Sequence, residues 1–464
     1  MRDQYRHKII IDPVHGDIGL SELETKLIDA PTFQRLRKLK QLGFASMVYP
    51  NASYSRFAHS LGVLHVTSRV IDAFRRNSQL QNDEDVKKER IASLLHDIGH
   101  YPYSHLMEYI DWDRYISMYL SKKNGEDEST NQSVDPYPEH TKIARLVLTK
   151  RKDIKEILEK DGIVPEEIAA LIEGKHSDIP CLLHRSLDVD RMDYLVRDSL
   201  NTGVPYGRID INYILNNLDI MEDQDIVINA KARISAEHLL VSRYFMFNAV
   251  YLHKTVFGFE EVVRRIILLL LKEGKIYSSG TEIEEIIAED SHKFLDFHDG
   301  YLDKFIDKYG AGDDDRLLTI LCKAIKLRHP PKMIREVVDL RSLQDGRLSE
   351  EYVLFKRCME KELSEIADEC KIQPELLIWR ETKDVGFESM YPYVGISKVQ
   401  DIQEEERKQL IRVKDSSGKP VNLVEDEKSI IHYLPLKLKV IRLYAVGVDN
   451  EKAEEIKAEV QSRL

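Results

Sequence analysis

The sequence predicts a mainly α-helical protein carrying a smaller α+β lobe toward its C-terminal end. Three observations carry that prediction. Apolar residues recur at helical spacing through most of the chain to about residue 330. The longest aliphatic run, IILLLL at 266–271, is far short of the roughly 20 residues a membrane-spanning helix needs, so it reads as a buried helix. A β-branched stretch, KLKVIRLYAVGV at 437–448, reads as a strand. With 464 residues the chain is too long for one compact core, and we place a helical unit over 1–330 and the α+β lobe over 331–464.

The elements follow in order. DAPTFQRLRKLKQLGFA (29–45) puts Pro31 at a helix start, sets Phe33, Leu36, Leu39 and Leu42 on one face, and reaches Gly43 as a stop. VKKERIASLLHDIGH is a second amphipathic helix, ended by Gly99 and then Pro102. Residues 121–139 are polar and almost free of aliphatics, as expected of a surface loop. From 142 to about 275 one helix follows another. YVLFKRCMEKELSEIADEC reads as a helix and RVKDSSGKPVNLV as a hairpin before the 437–448 strand.

Composition narrows the function. Hydrophobic residues make up 42% and charged residues 32%, an ordinary globular balance. Cys181, Cys322, Cys358 and Cys370 lie far apart and form no CxxC pair, which argues against a disulfide framework or a cysteine-rich zinc site and fits a reducing, cytoplasmic setting. The N-terminal residues lack the apolar core of a secretory signal. A formal charge of −12 argues against broad nucleic-acid binding, yet leaves room for a local basic pocket that takes a small polyanion.

The chemistry concentrates in LLHDIGHYPYSH (94–105), with His96 and Asp97 adjacent and His100 one turn on. His59 lies upstream in YSRFAHSLGVLH, and SLDVDRMDYLVRD offers Asp188, Asp190, Asp193 and Asp198 downstream. Two imidazoles and two carboxylates would make a mixed nitrogen and oxygen site, suited to Mg, Mn, Fe, Co or Zn with positions left for water. A divalent ion there would lower the pKa of a water and polarise a phosphoryl oxygen. Arg56 lies three residues before His59 on the same helical face, and Arg191, Tyr194 and Asp198 fall on one stripe. Arginine's donor fork suits phosphate oxygens.

Five blocks, DPVHGDIGL, IDAPTFQRLRKLKQLG, SRFAHSLGV, LLHDIGHYPYSH and DVDRMDYLVRDS, run in this order from residue 12 to 199. Their order resembles the HD-domain dNTP triphosphohydrolases, especially the SAM-and-HD-domain type, and a weaker similarity continues through YLHKTV at 251–256. Because the match begins almost at the first residue, no SAM domain is expected ahead of it. The resemblance implies a fold built on an HD-type helical core and a divalent metal held by His59, His96, Asp97 and Asp190. It implies cleavage of a dNTP between the 5′ oxygen and the α-phosphorus, releasing a deoxynucleoside and triphosphate. His105 then matches the general acid, His100 and His140 match histidines along the phosphates, and Glu108 stands where the family typically has an aspartate. Arg56, Arg191, Tyr194 and Arg243 match triphosphate contacts. Gln41 and Asp198 match contacts to the sugar 3′-hydroxyl, and Leu42 and Tyr251 match residues that crowd the 2′ carbon and exclude ribonucleotides.

Lys8, Asp29, Gln34 and Arg37 match positions that hold a guanine-nucleotide activator (GTP or dGTP), with His253 and Lys254 on regulatory phosphates. Ile11 replaces an asparagine of the neighbouring activator subsite and cannot make its hydrogen bonds. Nucleotides shared between subunits would imply a homotetramer. Two other readings stay open from sequence: an HD phosphodiesterase or phosphatase acting on another nucleotide, and a nonenzymatic nucleotide sensor.

Overall fold

An aspartate just ahead of a turn can satisfy the turn's own N–H groups. Asp12 does so, accepting from the main-chain N–H groups of Val14 (3.0 Å) and His15 (2.9 Å). This closes an antiparallel hairpin between β1 (Lys8–Asp12) and β2 (Gly16–Leu20) in the computed structural model of the chain. The structure describes residues 7–77, 82–108, 110, 112, 135–175, 182–183, 187–221, 226–288, 292–341, 347–382, 385–386, 411–415, 417–423, 425–434 and 437–464. Cys181 and most of the polar 121–139 segment lie outside the described residues.

Helix α1 (Glu22–Asp29) opens with a capping box between Ser21 and Glu24. The single helix expected over 29–45 does not form. One α-turn at Pro31–Gln34 tightens into a 3₁₀ turn at Arg35–Lys38, and Leu39 is extended. The reason is competition for main-chain donors. The Lys40 N–H donates to Asp299 Oδ2 (3.0 Å) and the Gln41 N–H to the Tyr54 carbonyl (3.1 Å), so helical bonds there would cost tertiary ones. Of the expected apolar face, Phe33, Leu36 and Leu39 are fully buried, while Leu42 is half-buried and lines a cavity.

Helix α2 (Arg56–Arg76) runs through the core, packed against α3 (Asp83–Leu95) and α7 (Val189–Thr202). Gly62 permits the α2–α7 approach: a Cβ there would lie 1.9 Å from Asp193 Oδ1 and 2.4 Å from Arg197 Nη2. Between them in sequence come α4 (His105–Glu108), α5 (His140–Lys150) and α6 (Pro165–Ile172). After α7 the helical run is interrupted by strands β3 (Leu218–Ile220) and β4 (Ile226–Ile228), which the sequence reading did not separate. Then follow α8 (Arg233–Met246), a π-helical turn at Phe247–Tyr251, and α9 (Lys254–Lys272). The IILLLL run lies in α9 and is mostly buried, and no described helix is long and apolar enough to cross a membrane.

The later residues build two small sheets. Strands β5 (Lys332–Arg341), β6 (Leu377–Glu381) and β7 (Val385–Gly386) all pair antiparallel with β10 (Lys437–Ala445). The expected hairpin near 412 exists as β8 (Arg412–Lys414) and β9 (Pro420–Asn422), and β8 pairs parallel with β4 of the helical part. The helix read over 352–370 is two helices, α10 (Glu350–Lys361) and α11 (Leu363–Glu369). They and α12 (Asn450–Ser462) cover one face of the β10 sheet, where Ile441, Leu443 and Ala445 join Tyr352, Phe355 and Ile456 in one cluster. Leu438, Val440 and Tyr444 alternate to the opposite face and pack on Phe247, Leu252 and Phe257. The β10 sheet is therefore sandwiched between C-terminal helices and the π-turn–α9 segment.

Candidate active site

His59 sits in the first turn of α2, while α3 ends at Leu95, so His96 caps it and Asp97 and His100 lie in the turn beyond. His96 and His100 therefore do not share a helix face, as their spacing had suggested. The turn is held instead by Arg35, whose buried guanidinium donates to the carbonyls of Phe297 (2.5 Å), Ile98 (2.8 Å) and His100 (2.9 Å). Burial and then the neighbouring Arg151 push the Arg35 pKa down to about 9. Gly99 faces the start of α5 so closely that a Cβ would lie 2.1 Å from the His140 carbonyl oxygen.

The four expected ligands converge. Donor atoms of His59, His96 and Asp97 lie within 4.8 Å of one another, and all three residues are buried. Asp190 Oδ1 is 2.7 Å from His59 Nε2 and 4.0 Å from His96 Nε2. His96 Nδ1 is 2.8 Å from the Ser93 carbonyl oxygen and His59 Nδ1 is 2.7 Å from Asp193 Oδ2. With both Nδ1 atoms donating, the Nε2 atoms are left as the positions that can offer a lone pair to a cation, His59 once its Nε2 proton is given up, and both Nε2 atoms are buried without a well-aligned hydrogen-bond partner. Two imidazole Nε2 atoms, each with oxygens of Asp97 and Asp190 at 2.7 to 4.0 Å, are a donor set that fits a divalent cation. Burial opposes a charge on His59, but the carboxylates of Asp190 and Asp193 outweigh it and raise its pKa to about 10. A proton and a metal ion thus compete for the same lone pair. Asp97 is held well below the usual carboxylate range despite its burial, by Arg56 first and then His96 and His100.

Arg56 spends its guanidinium here on Asp97 Oδ2 (2.6 Å) and Ser104 Oγ (2.7 Å). Beside it, His100, His105, Glu108 and His140 form a second cluster. Glu108 bridges it, with Oε2 2.7 Å from His105 Nδ1 and Oε1 2.9 Å from His140 Nδ1. The rings of His100 and His140 stack at 4.1 Å. Burial of Glu108 opposes its charge, yet both histidines hold its pKa low. On His140 the bond to Glu108 overcomes burial and raises the pKa, whereas on His105 burial wins and lowers it. Tyr103 and Ser104, just before His105, hold left-handed backbone at φ 52° and 56°, a strained turn fixed by the Tyr103 N–H donating to Asp299 Oδ1 (2.7 Å).

These groups open on a cavity of about 300 Å³, which Gln41, Leu42, Tyr194, Asp198, Arg243 and Tyr251 also line. The hydroxyls of Tyr54 and Tyr251 both donate to Asp198. Burial raises the Asp198 pKa to about 6 against the pull of those two bonds. Gln41 Oε1 is buried without a partner, and so is Arg191 Nη2. Burial, then the nearby Arg243, lowers the Arg191 pKa to about 10.

The proposed activator residues lie apart from this cavity's lining. Lys8 pairs with Asp29 at 3.4 Å, Gln34 donates to the Ile28 carbonyl (2.6 Å), and Arg37 donates to Gln34 Oε1 (2.7 Å) while covering the Phe57 ring. His253 caps α9 by accepting from Thr255, Lys254 is exposed, and Ile11 is 83% exposed on β1.

Sequence reasoning missed the layer behind the ligands. Asp193 also lies 2.6 Å from His15 Nε2 and accepts from Arg197 Nε (2.8 Å) and Nη2 (2.9 Å), and Arg197 in turn donates to Asp12. The DPVHGD block thus supports His59 through Asp193. Its signal was present, since Asp193 is one of four aspartates in SLDVDRMDYLVRD, but spacing could not say which faces the metal. Tyr54 carried no signal of its own.

Residues 56–198 match the HD domain family, and residues 209–309 match the HD associated region. An uncharacterized protein of Methanocaldococcus jannaschii is 33% identical over 304 residues, covering 65% of this chain and 58% of that one. The human deoxynucleoside triphosphate triphosphohydrolase SAMHD1 is 33% identical over 224 residues, 42% of this chain and 34% of its own. The chain spans about half the length of the first curated relatives it matches. A crystal structure of a phosphohydrolase from Bacteroides thetaiotaomicron shares the fold, with a TM-score of 0.68 and 23% identity over 94% of this chain and 99% of that one.

Proposed function

Because this chain carries an HD domain followed by an HD-associated region, we propose that it is a metal-dependent phosphohydrolase whose substrates are deoxynucleoside triphosphates. One observation supports this reading above the others. His96, Asp97 and Asp190 of the ligand set, the histidines His100, His105 and His140, and Asp198 with Tyr251 line one cavity, in the arrangement a metal, a phosphate chain and a sugar hydroxyl would need. His59, His96, Asp97 and Asp190 would hold the cation. Bound there, it would supply Lewis acidity, neutralising phosphate charge and lowering the pKa of a water.

The chain's own groups do the rest. Arg191 and Arg243 offer fixed cations to the triphosphate. His105, oriented by Glu108, donates a proton to the departing 5′ oxygen, and the negative charge of a bound triphosphate would raise its lowered pKa toward that task. Gln41 and Asp198 meet the 3′-hydroxyl, while Leu42 and Tyr251 leave no room beside the 2′ carbon. The products are a deoxynucleoside and intact triphosphate. Activation by a guanine nucleotide at Lys8, Asp29, Gln34 and Arg37, with His253 and Lys254 on its phosphates, and assembly into a tetramer belong to the same reading. Light scattering with and without GTP tests the assembly.

The deciding experiment incubates the purified chain with each dNTP and Mn²⁺ or Mg²⁺ and resolves the products. Deoxynucleoside with triphosphate is expected. Monophosphate or diphosphate products, or no turnover with any metal or activator, would overturn the proposal.

A further inference from the structure

Tyr251 closes the deoxyribose end of the proposed site, yet it sits at the end of a π-helical turn, Phe247–Tyr251, an arrangement rarely stable on its own. Its position must be imposed from outside. On one side the Tyr49 hydroxyl donates to the Ala249 carbonyl at 2.6 Å. On the other, strand β10 reaches in. The Arg442 Nη1 donates to the Leu252 carbonyl at 2.6 Å, in a buried bond, and the Tyr444 hydroxyl donates to the Lys254 carbonyl at 2.7 Å. Those two carbonyls flank the link between the π-turn and α9, directly after Tyr251. Arg442 is itself fixed, donating through Nε to Glu336 Oε2 (2.5 Å) on β5 and lying 5.2 Å above the Phe257 ring. Arg380 on β6 adds a third tie, 2.7 Å from Glu261 of α9.

We propose that Arg442 and Tyr444 are positioning residues for substrate selection: the β10 sheet sets the Tyr251 hydroxyl against Asp198 and so fixes the wall that excludes a 2′-hydroxyl. The physical requirement is rigidity. A wall rejects one extra oxygen only if it cannot yield by about 1 Å, and a turn with free carbonyls would yield. The bulk of Tyr251 supplies the clash, and the two β10 bonds keep it in place. The alternation along β10 makes this possible, because Leu438, Val440 and Tyr444 face the π-turn while Ile441 and Leu443 anchor the strand in the other core. This inference rests on the deoxynucleotide reading of the cavity.

The test compares wild type, Arg442→Ala, Arg442→Lys and Tyr444→Phe on the four dNTPs and the four matching ribonucleotides with Mn²⁺. Thermal unfolding is measured beside each. For Arg442→Ala the KM for dNTPs is expected to rise about tenfold with kcat little changed, and the preference for deoxy over ribo substrates to fall by a similar factor. Arg442→Lys, which keeps a cationic donor, should recover part of the preference. Should Arg442→Ala fail to fold, Tyr444→Phe removes one hydroxyl alone and should show the same shift at smaller size. Folded variants with an unchanged deoxy-to-ribo ratio would overturn the proposal, as would a uniform loss of kcat on both substrate classes. A wild type that turns over no dNTP would instead sink the reading beneath it, and the proposal with it.

Discussion

Asp193→Asn separates orientation of the metal ligand from simple structural support. The carboxylate is fully buried and faces four nitrogen atoms: His15 Nε2 at 2.6 Å, His59 Nδ1 at 2.7 Å, and Arg197 Nε and Nη2 at 2.8 and 2.9 Å. An amide keeps the shape but offers one acceptor oxygen and turns an NH₂ group toward the other donors. His59 then loses the partner that fixes its tautomer, which weakens metal binding about 10- to 100-fold, or roughly 1.4–2.8 kcal/mol. Orphaning a buried charge costs about 3–5 kcal/mol. Arg197 keeps Asp12 at 2.8 and 3.1 Å, so the loss of fold stability should be smaller, on the order of 2 kcal/mol. Calorimetric titration of the folded variant with Mn²⁺ reads the first effect and thermal unfolding the second. Wild-type Mn²⁺ affinity in a variant with a lowered Tm would refute the reasoning, because Asp193 would then support the fold without orienting the ligand.

Asp97→Ala should abolish turnover and metal content together, measured by product analysis and elemental analysis on one sample; retained activity would show the ligand set to be wrong. Stripping the cation with a chelator should lower Tm, since a cation at 100 times its Kd contributes about 2.7 kcal/mol to the folded state. An unchanged Tm would argue against tight binding. Asp198 should make stability pH-dependent. Its folded pKa of about 6 lies above an unfolded value near 3.9, so stability from the neutral carboxyl is full below about pH 4 and is lost as pH rises through 6, by on the order of 3 kcal/mol. Asp198→Asn should therefore gain Tm over wild type progressively between pH 4 and 7, while dNTP affinity falls; a pH-independent gap would contradict this. Gly99→Ala would press a methyl against the His140 carbonyl, displacing α5 at a cost of about 1–3 kcal/mol. Circular dichroism and activity should fall together, and a wild-type Tm would exclude the clash.

Much of the fold was legible because burial imposes a period on the residues that form it. Phe33, Leu36 and Leu39 are buried as their spacing required, even though the backbone beneath them is not the helix that spacing implied. The β-branched run read as a strand over 437–448 is one over Lys437–Ala445, its alternation divided between two cores. The short strands β3 and β4 carried too few residues to stand out from the helices around them.

The sequence by itself narrowed the side chains able to bind a cation to His59, His96, Asp97 and the aspartates of SLDVDRMDYLVRD, and the family resemblance singled out Asp190 among them. Only the tertiary structure decided that they meet, because convergence depends on α2 and α7 closing on each other at Gly62 and on the turn after α3 bringing His96 and Asp97 to His59. It alone also assigned the supporting roles of Asp193, Arg35, Tyr54 and Arg442. Those roles are long-range hydrogen bonds, and residue order cannot encode the direction in which a buried donor points.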